Sequence, residues 1–197
     1  LLVTGLCPAA VFAQDPQTDA PWAIDGVYQI GTADELFWFA SQVNGGSSEI
    51  DAVLTGDIDL ENRDWTAIGN YDNPYSGTFD GQGYVISNLY IQAAASYQGL
   101  FGCLGEEGVV RKVRVSGSVT SNRTFMAGIA GRNAGLIENC YSDVTVANTN
   151  TSVGNSNYIG GIAGQNAGTI RYCQNAGSIS GCKLGGIAGY VTAGGTV

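Results

Sequence analysis

The chain has 197 residues, with 17 acidic and 8 basic side chains, 30 glycines and no histidine. A net charge of -9 argues against a nucleic-acid partner, and the lack of histidine excludes histidine-dependent zinc sites and Ser-His-Asp triads. The length corresponds to about one domain. Collagen and a disordered tail are excluded because prolines are few and apolar residues are many.

The N-terminal end predicts an exported protein. Residues 1–13, LLVTGLCPAAVFA, are uncharged and mostly apolar, and they resemble the end of a secretory signal peptide that is cleaved before Gln14. This stretch is too short for a membrane span. Lipid attachment at Cys7 and a buried N-terminal strand are the alternative interpretations. Residues 14–26 are polar and interrupted by proline, so we predict a linker there.

Residues 27–74 are predicted to form an N-terminal cap with entry strands. Thr32 and Glu35 have the spacing of a capping box, and apolar residues then recur at helical spacing, which predicts a helix over 33–43. The segment 44–46, Asn-Gly-Gly, should end this helix. We expect the helix to cover the open first coil of the repeats that follow, where an exposed strand edge would otherwise recruit other chains.

A strand with an acidic face follows the helix. In AVLTGDIDL, Asp57 and Asp59 share the polar side, because alternate residues of a strand point to opposite faces. With Glu61 and Asp64 they form a candidate calcium site, since calcium prefers several carboxylate oxygens. A solvated strand face and turn are the alternative, because the order of acids in an EF-hand loop is missing.

Residues 75–197 contain an internal repeat. Short glycine strings recur at 98–102, 127–131, 160–164 and 185–189, and SGTFD at 76–80 is an earlier variant. Three apolar slots accompany these strings. The first is filled by Ile86, Val110, Ile137 and Ile170, the second by Leu89, Val113, Cys140 and Cys173, and the third by Val119, Val146 and Ile179. Each segment is too short for a stable helix, and stacked units would bury one continuous apolar column. The pattern predicts an all-β fold, a parallel β-helix with three short strands per coil. Because the chain ends at Val197 midway through a unit, we expect the repeats to be truncated at the C-terminus.

The cysteines follow the same pattern. Cys140 and Cys173 fill an inward slot one coil apart, which favours a ladder of buried thiols. A disulfide between them is the alternative, because neighbouring coils lie within bonding range and export would permit the bond. Cys103 and Cys182 should lie too far apart to pair.

The repeats resemble the GLUG-motif repeats of secreted and surface-anchored bacterial proteins, which also occur in IgA-specific metallopeptidases. The motifs that carry the resemblance are LTGDIDL, DWTAIGNYDNPYSGTFDGQGYVISNLYI, GLFG, GGIAGQNAGTIRYC and GGIAG, within about residues 54–197. The resemblance implies a right-handed β-helix in an extracellular, often adhesive or multidomain, protein. The catalytic motif of the metallopeptidases is absent from this sequence, so protease activity does not carry over.

Two places on the predicted solenoid could bind a ligand. The first is an exterior column, next to the inward slot, that contains Tyr90, Arg114, Tyr141 and Gln174; its tyrosines could stack on sugars or anchor a protein, or could be ordinary exterior strand residues. The second is the polar insertion 147–158, which should protrude and offers Asn150, Asn155 and Tyr158. This insertion could equally be a tolerated loop without a function. The aligned Asn133 and Asn166 are expected to form a structural asparagine stack in the turns.

These observations favour a non-catalytic extracellular module, secreted or on a cell surface, that presents a glycan or protein ligand site. The alternative is a spacer in a larger secreted enzyme whose catalysis lies outside this chain. A polysaccharide lyase or hydrolase is disfavoured, because the coils after Asp80 hold only four acids and no pair with convincing geometry. We expect no cofactor and no membrane span.

Overall fold

A computed structural model describes residues 19–150 and 157–197 of the chain. The described chain winds into a β-solenoid of about six turns with a single helix at its N-terminal end, which confirms the predicted fold class. The coils stack their strands into three main sheets that run along the solenoid, and neighbouring strands of the described chain are parallel except in the first pair. The predicted signal remnant at 1–13 lies outside the described residues.

Sheet 1 forms one wall of the solenoid and starts at the N-terminus. Its strands, in spatial order, are Ala23–Ile24, Val27–Ile30, Asp51–Leu54, Thr78–Asp80, Val109–Arg111, Leu136–Glu138 and Thr169–Arg171. Only the first pair is antiparallel, so Ala23–Ile24, which falls within the predicted linker 14–26, folds back as a hairpin on the next strand.

Sheets 2 and 3 form the other walls. Sheet 2 contains Ile58–Asp59, Val85–Ala93, Arg114–Ser121 and Tyr141–Asn148, and the last of these pairs with both Gln174–Asn175 and Ile179–Ser180. Sheet 3 contains Phe101–Leu104, Ala130–Asn133, Ala163–Asn166 and Ala188–Val191. A short parallel pair, Tyr158–Gly160 with Lys183–Gly185, lies beside sheet 3.

The helix covers the N-terminal end of the solenoid, as expected from its sequence. It spans Ala33–Asn44, and the capping box is present: Thr32 accepts from the Glu35 backbone N–H while Glu35 accepts from the Thr32 N–H. Its apolar face is buried in the common core, where the Phe39 ring lies 5.8 Å from the ring of Tyr75. None of the helices in the described ranges has the length and apolar character needed to cross a membrane.

The glycine strings mark the register of sheet 3 as predicted, with one exception. Phe101, Ala130, Ala163 and Ala188 lie in one column, in agreement with the aligned strings. The variant SGTFD was placed wrongly: Phe79 pairs with Val110 in sheet 1, and Ile68 takes the place next to Phe101. The strings GTFD, GVVR, GLIE and GTIR are therefore the matching set in sheet 1.

The predicted apolar slots hold in the later coils and fail in the first. Val110, Ile137 and Ile170 share a column, and so do Val119, Val146 and Ile179. Ile86 and Leu89, however, belong to sheet 2, where they pair with Val115 and Gly117. The pairing shifts between these two residues at a bulge that contains Asn88 in the left-handed region, with φ 56°. The bulge changes the pairing by only one residue, so the main cause is the misplaced SGTFD: residues counted from it fall in the wrong column.

Polar side chains also hold the coils in register. Asn133 is fully buried and donates to the Oδ1 of Asn166, 2.7 Å away, while its own Oδ1 accepts from the Gly135 N–H. Asn166 in turn donates to the carbonyl of Thr196. The expected asparagine stack is therefore present, and it satisfies backbone groups in the turns.

Cys103, Cys140, Cys173 and Cys182 are all free thiols. Cys140 and Cys173 repeat the same environment one coil apart, each with its Sγ 3.3 Å from the carbonyl oxygen two residues earlier. The thiol ladder is the arrangement found, and the disulfide alternative is not.

Candidate functional site

The acids proposed for calcium, Asp57, Asp59, Glu61 and Asp64, do not cluster in the structure. Among the described residues, no three His, Cys, Asp or Glu side chains converge as metal ligands. Asp57 accepts a hydrogen bond from the Val85 N–H, and Asp59 accepts from the Asn88 amide and from the Glu61 N–H. The two hydrogen bonds to Asp59 lower its pKa, and the one from Asn88 has the larger effect. Asp57 and Asp59 thus connect neighbouring coils and turns, and calcium binding by this group stays a prediction.

The predicted exterior column is only partly correct. Arg114, Tyr141 and Gln174 lie in register on adjacent strands, and the Arg114 guanidinium carbon lies 5.5 Å from the centre of the Tyr141 ring. Val85, and not Tyr90, completes this column. Tyr90 lies five residues after Val85 on the same strand, where it pairs with Ser118. The column borders a shallow depression of about 360 Å³ that Tyr172 also lines.

The described ends of the insertion 147–158 belong to the scaffold and do not protrude. Ala147 and Asn148 continue a strand of sheet 2, and Asn157 is buried. Asn150 donates from its backbone to Asn148 and accepts from Asn157 and Cys182. Residues 151–156, including the candidate Asn155, lie outside the described residues.

Tyr158 belongs to a stack of rings that runs along one corner of the solenoid, here called the aromatic ladder. Its neighbouring ring centres lie 6.0, 5.3, 5.7 and 4.9 Å apart in the order Tyr71, Tyr97, Phe125, Tyr158, Tyr190. Phe125 and Tyr190 cover the two faces of Tyr158, and the Lys183 ammonium lies 4.6 Å from its ring centre. Tyr158 therefore offers no free ring face to a ligand.

The ladder includes two residues in an unfavourable backbone conformation. Tyr97 and Phe125 have φ values of 59° and 61°, which bulky side chains rarely adopt. Such strain persists only where surrounding contacts impose it, and here the rings stack with an interplanar angle of 7°. The stacking fixes the position of each ring relative to the next coil.

The N-terminal end of the ladder is its most accessible part. Tyr71 is 70% exposed, and it stacks on Tyr97 with an interplanar angle of 26°. The two rings line a cavity of about 830 Å³, here called the Tyr71 cavity, together with the buried ring of Trp65. A volume of this size lies within the range of small-molecule sites.

The loop that carries Tyr71 is held by its own hydrogen bonds. Asn70 Oδ1 accepts from the N–H groups of Asp72 and Asn73 at 2.9 and 2.8 Å. Asn73 donates through its amide to the carbonyl of Asn44 at the end of the helix, and the Asn44 amide donates to Ala67. The cavity therefore has a wall whose shape is set before any ligand arrives.

Sequence reasoning missed the ladder, although a signal was present. Tyr97, Phe125 and Tyr158 each lie two or three residues before the glycine at the second position of a glycine string. An aromatic residue repeated at one place in a solenoid unit predicts a stack between coils. Tyr71 gave no such signal, because it belongs to the entry coil that the counting of repeats did not include.

The cysteine pair differs in its acid–base properties from an ordinary thiol pair. A hydrogen bond from Cys140 lowers the pKa of the half-buried Cys173, while the same bond and burial raise the pKa of Cys140 well above its usual value. Burial raises the pKa of Cys103 to about 11. Of Cys103, Cys140 and Cys173, the thiol of Cys173 therefore ionises most readily.

Comparisons with known proteins point to a solenoid scaffold. The chain matches no protein-family profile, so the resemblance to GLUG repeats rests on its motifs. It is 33% identical over 93 residues to a proposed Gly-rich membrane protein of Evansella cellulosilytica, which covers 45% of this chain and 11% of that protein. It is 28% identical over 153 residues to halomucin of Haloquadratum walsbyi, which covers 74% of this chain and 2% of that protein.

A solved structure shares the fold. The crystal structure of a proposed immunoglobulin A1 protease from Bacteroides ovatus matches with a TM-score of 0.62 and 25% identity, over 84% of this chain and 62% of that chain. The chain therefore spans a small part of its two sequence relatives and less than two thirds of the solved chain. What it shares with that chain is a β-solenoid.

Proposed function

We propose that this solenoid is a non-catalytic module of a secreted or surface protein, and that it binds a glycan or protein ligand at the N-terminal end of its aromatic ladder. The observation that carries the proposal is the exposed Tyr71 ring beside a cavity of about 830 Å³ on a rigid scaffold. Loops positioned by a rigid scaffold are common binding sites, and exposed aromatic rings are frequent anchors of ligands.

The names of the relatives support the location. A Gly-rich membrane protein and halomucin are names of proteins at or outside the cell surface, and the structural neighbour carries the name of a protease that acts on an immunoglobulin. A solenoid in such proteins has access to glycans and host proteins. Catalysis is not part of the proposal, because the likeness to the protease extends over a solenoid and gives this chain no catalytic residue.

The test is binding of the full chain to immobilised mucin, bacterial cell-wall polysaccharide and extracellular matrix proteins, measured by biolayer interferometry. We expect saturable binding to at least one of these surfaces, and weaker binding by the Tyr71→Ala variant. A chain in which the order of residues 151–156 is scrambled is the matched control, because those residues lie away from the Tyr71 cavity in sequence. No binding above a surface without ligand would overturn the proposal.

A second candidate function is that of a spacer that holds another domain away from the cell. The observation that favours it is the structural likeness to part of a longer proposed protease. In that case the length of the solenoid is what matters, and Tyr71→Ala should leave every activity of the parent protein unchanged. Loss of an activity of the parent protein in this variant would contradict the spacer.

A further inference from the structure

We propose that the Tyr71 cavity binds the end of a neutral oligosaccharide and discriminates against acidic ones. This inference rests on the proposed function, because it names the ligand class of the same site.

The Tyr71 ring has one free face. Tyr71 stacks on Tyr97 through one face, and no other ring of the described chain contacts it. The remaining face is flat, apolar and accessible, with 70% of the residue exposed. The C–H face of a pyranose ring is also flat and apolar, so the two surfaces fit, as in other pairs in which an aromatic ring supplies rigid contact area.

The polar part of the cavity lining consists largely of amides and hydroxyls. Asn44, Asn70, Asn73 and Gln98 all line the cavity. The Oδ1 of Asn44 is buried and accepts no hydrogen bond from any described residue, and no described group accepts from the Nδ2 of Asn70. The accessible group left over at the wall is therefore the Asn70 Nδ2 donor, whereas the Asn44 Oδ1 is enclosed. Sugar hydroxyls accept as well as donate, so one of them can accept from Asn70 and others can bond to the amides and hydroxyls of the lining.

The charge of the cavity lining is negative. Asp72 is the one charged residue among those that line the cavity, and no basic side chain lines it. A uronate, a sialic acid or a phosphate would meet a carboxylate without a counter-charge, and like charges a few ångströms apart repel. The chain as a whole carries a net charge of -9, which adds to this repulsion. The lining therefore selects neutral sugars.

The loop that carries Tyr71 is held in one conformation by hydrogen bonds. The turn that carries Tyr71 is closed by the Asn70 side chain and attached to the helix end through Asn73 and Asn44. A loop fixed in this way loses little conformational freedom when a ligand binds, which favours weak ligands such as short sugars.

The experiment uses the full chain on a glycan array that contains both neutral and acidic oligosaccharides, followed by isothermal titration calorimetry with the strongest binder. We expect the bound glycans to be neutral. Tyr71→Ala should weaken binding about tenfold or more, because the stacking face is lost, and Tyr71→Phe should stay within about threefold of the parent chain. Tyr172→Ala is the matched control, since Tyr172 is 80% exposed and lines the other depression.

The outcomes separate the inference from the proposed function. Binding confined to acidic glycans, or to a protein, overturns the neutral-sugar inference and leaves the proposed function standing. Neutral binding that Tyr71→Ala leaves unchanged and Tyr172→Ala abolishes overturns the inference as well, because it moves the site to the other depression. Absence of binding to glycans and proteins overturns both. A circular dichroism spectrum identical to that of the parent chain establishes that each variant is folded.

Discussion

The asparagine stack allows a quantitative test of what holds neighbouring coils together. Replacing Asn133 by alanine leaves two buried groups without their partners, the Oδ1 of Asn166 and the N–H of Gly135. Each buried polar group left unpaired costs about 1–3 kcal/mol. We therefore expect Asn133→Ala to lower the free energy of unfolding by about 2–6 kcal/mol, a large share of the stability of a domain of this size.

Asn166→Ala should be milder, because Asn133 keeps a contact of 3.3 Å with the Thr169 carbonyl and the Thr196 carbonyl keeps the Ile170 N–H. The two asparagines contact each other, so the double variant should lose less than the sum of the single losses, by about 0.5–3 kcal/mol. Gln165→Ala, on the outer side of the same strand, is the control and should stay within about 0.5 kcal/mol of the parent chain.

The assay is urea unfolding followed by far-ultraviolet circular dichroism, which reports all coils. Tryptophan fluorescence in the same samples reports the N-terminal end, because all three tryptophans precede residue 66. If the solenoid unfolds as one unit, both signals shift together; if the coils unfold one by one, only the dichroism shifts. An Asn133→Ala variant within about 1 kcal/mol of the parent chain, or a strictly additive double variant, would refute the reasoning.

Three further predictions concern single positions. Gly117→Ala should destabilise the chain by more than about 2 kcal/mol in the urea assay, because φ is 139° and the new Cβ would lie 2.1 Å from the Leu89 carbonyl oxygen. Gly186→Ala is its control: this glycine has open space around it, so the stability should change by less than about 0.5 kcal/mol. Cys140→Ala should slow alkylation of Cys173 by iodoacetamide at pH 8, because it removes the hydrogen bond that lowers the pKa of Cys173 and so reduces the reactive thiolate. Glu35→Ala should lower the unfolding free energy by about 1 kcal/mol, since Glu35 accepts from two N–H groups at the start of the helix.

Each of these predictions has a contradicting result. Equal stabilities of the Gly117→Ala and Gly186→Ala variants would show that the close approach to Leu89 is relieved at no cost. An unchanged midpoint of the pH–rate profile of Cys173 alkylation, which should otherwise move to higher pH in Cys140→Ala, would show that the Cys140 thiol does not donate. For the capping box, an unchanged urea midpoint in Glu35→Ala would mean that the solenoid holds the helix without its cap.

The sequence determined the type of fold, because the physics that selects it is local and repetitive. The glycine strings fall where one backbone approaches the next, and Thr32 and Glu35 cap the helix with atoms only three residues apart. The later slots were also predictable, since Val110, Ile137 and Ile170 belong to units of regular design. In the first coil, SGTFD lies in sheet 1 although its letters resemble the sheet 3 strings, so counting residues from it places Ile86 and Leu89 in the wrong column.

The tertiary structure alone decided where the candidate site lies. Tyr71 and Tyr97 come from different coils, and they meet because the turns between them have particular lengths and the solenoid closes each coil onto the next. The same closure covers both faces of Tyr158, which the sequence offered as a ligand contact, and directs Asp57 and Asp59 to hydrogen bonds with the next coil. Local patterns fix which residues point inward, whereas contacts between coils depend on every turn that precedes them.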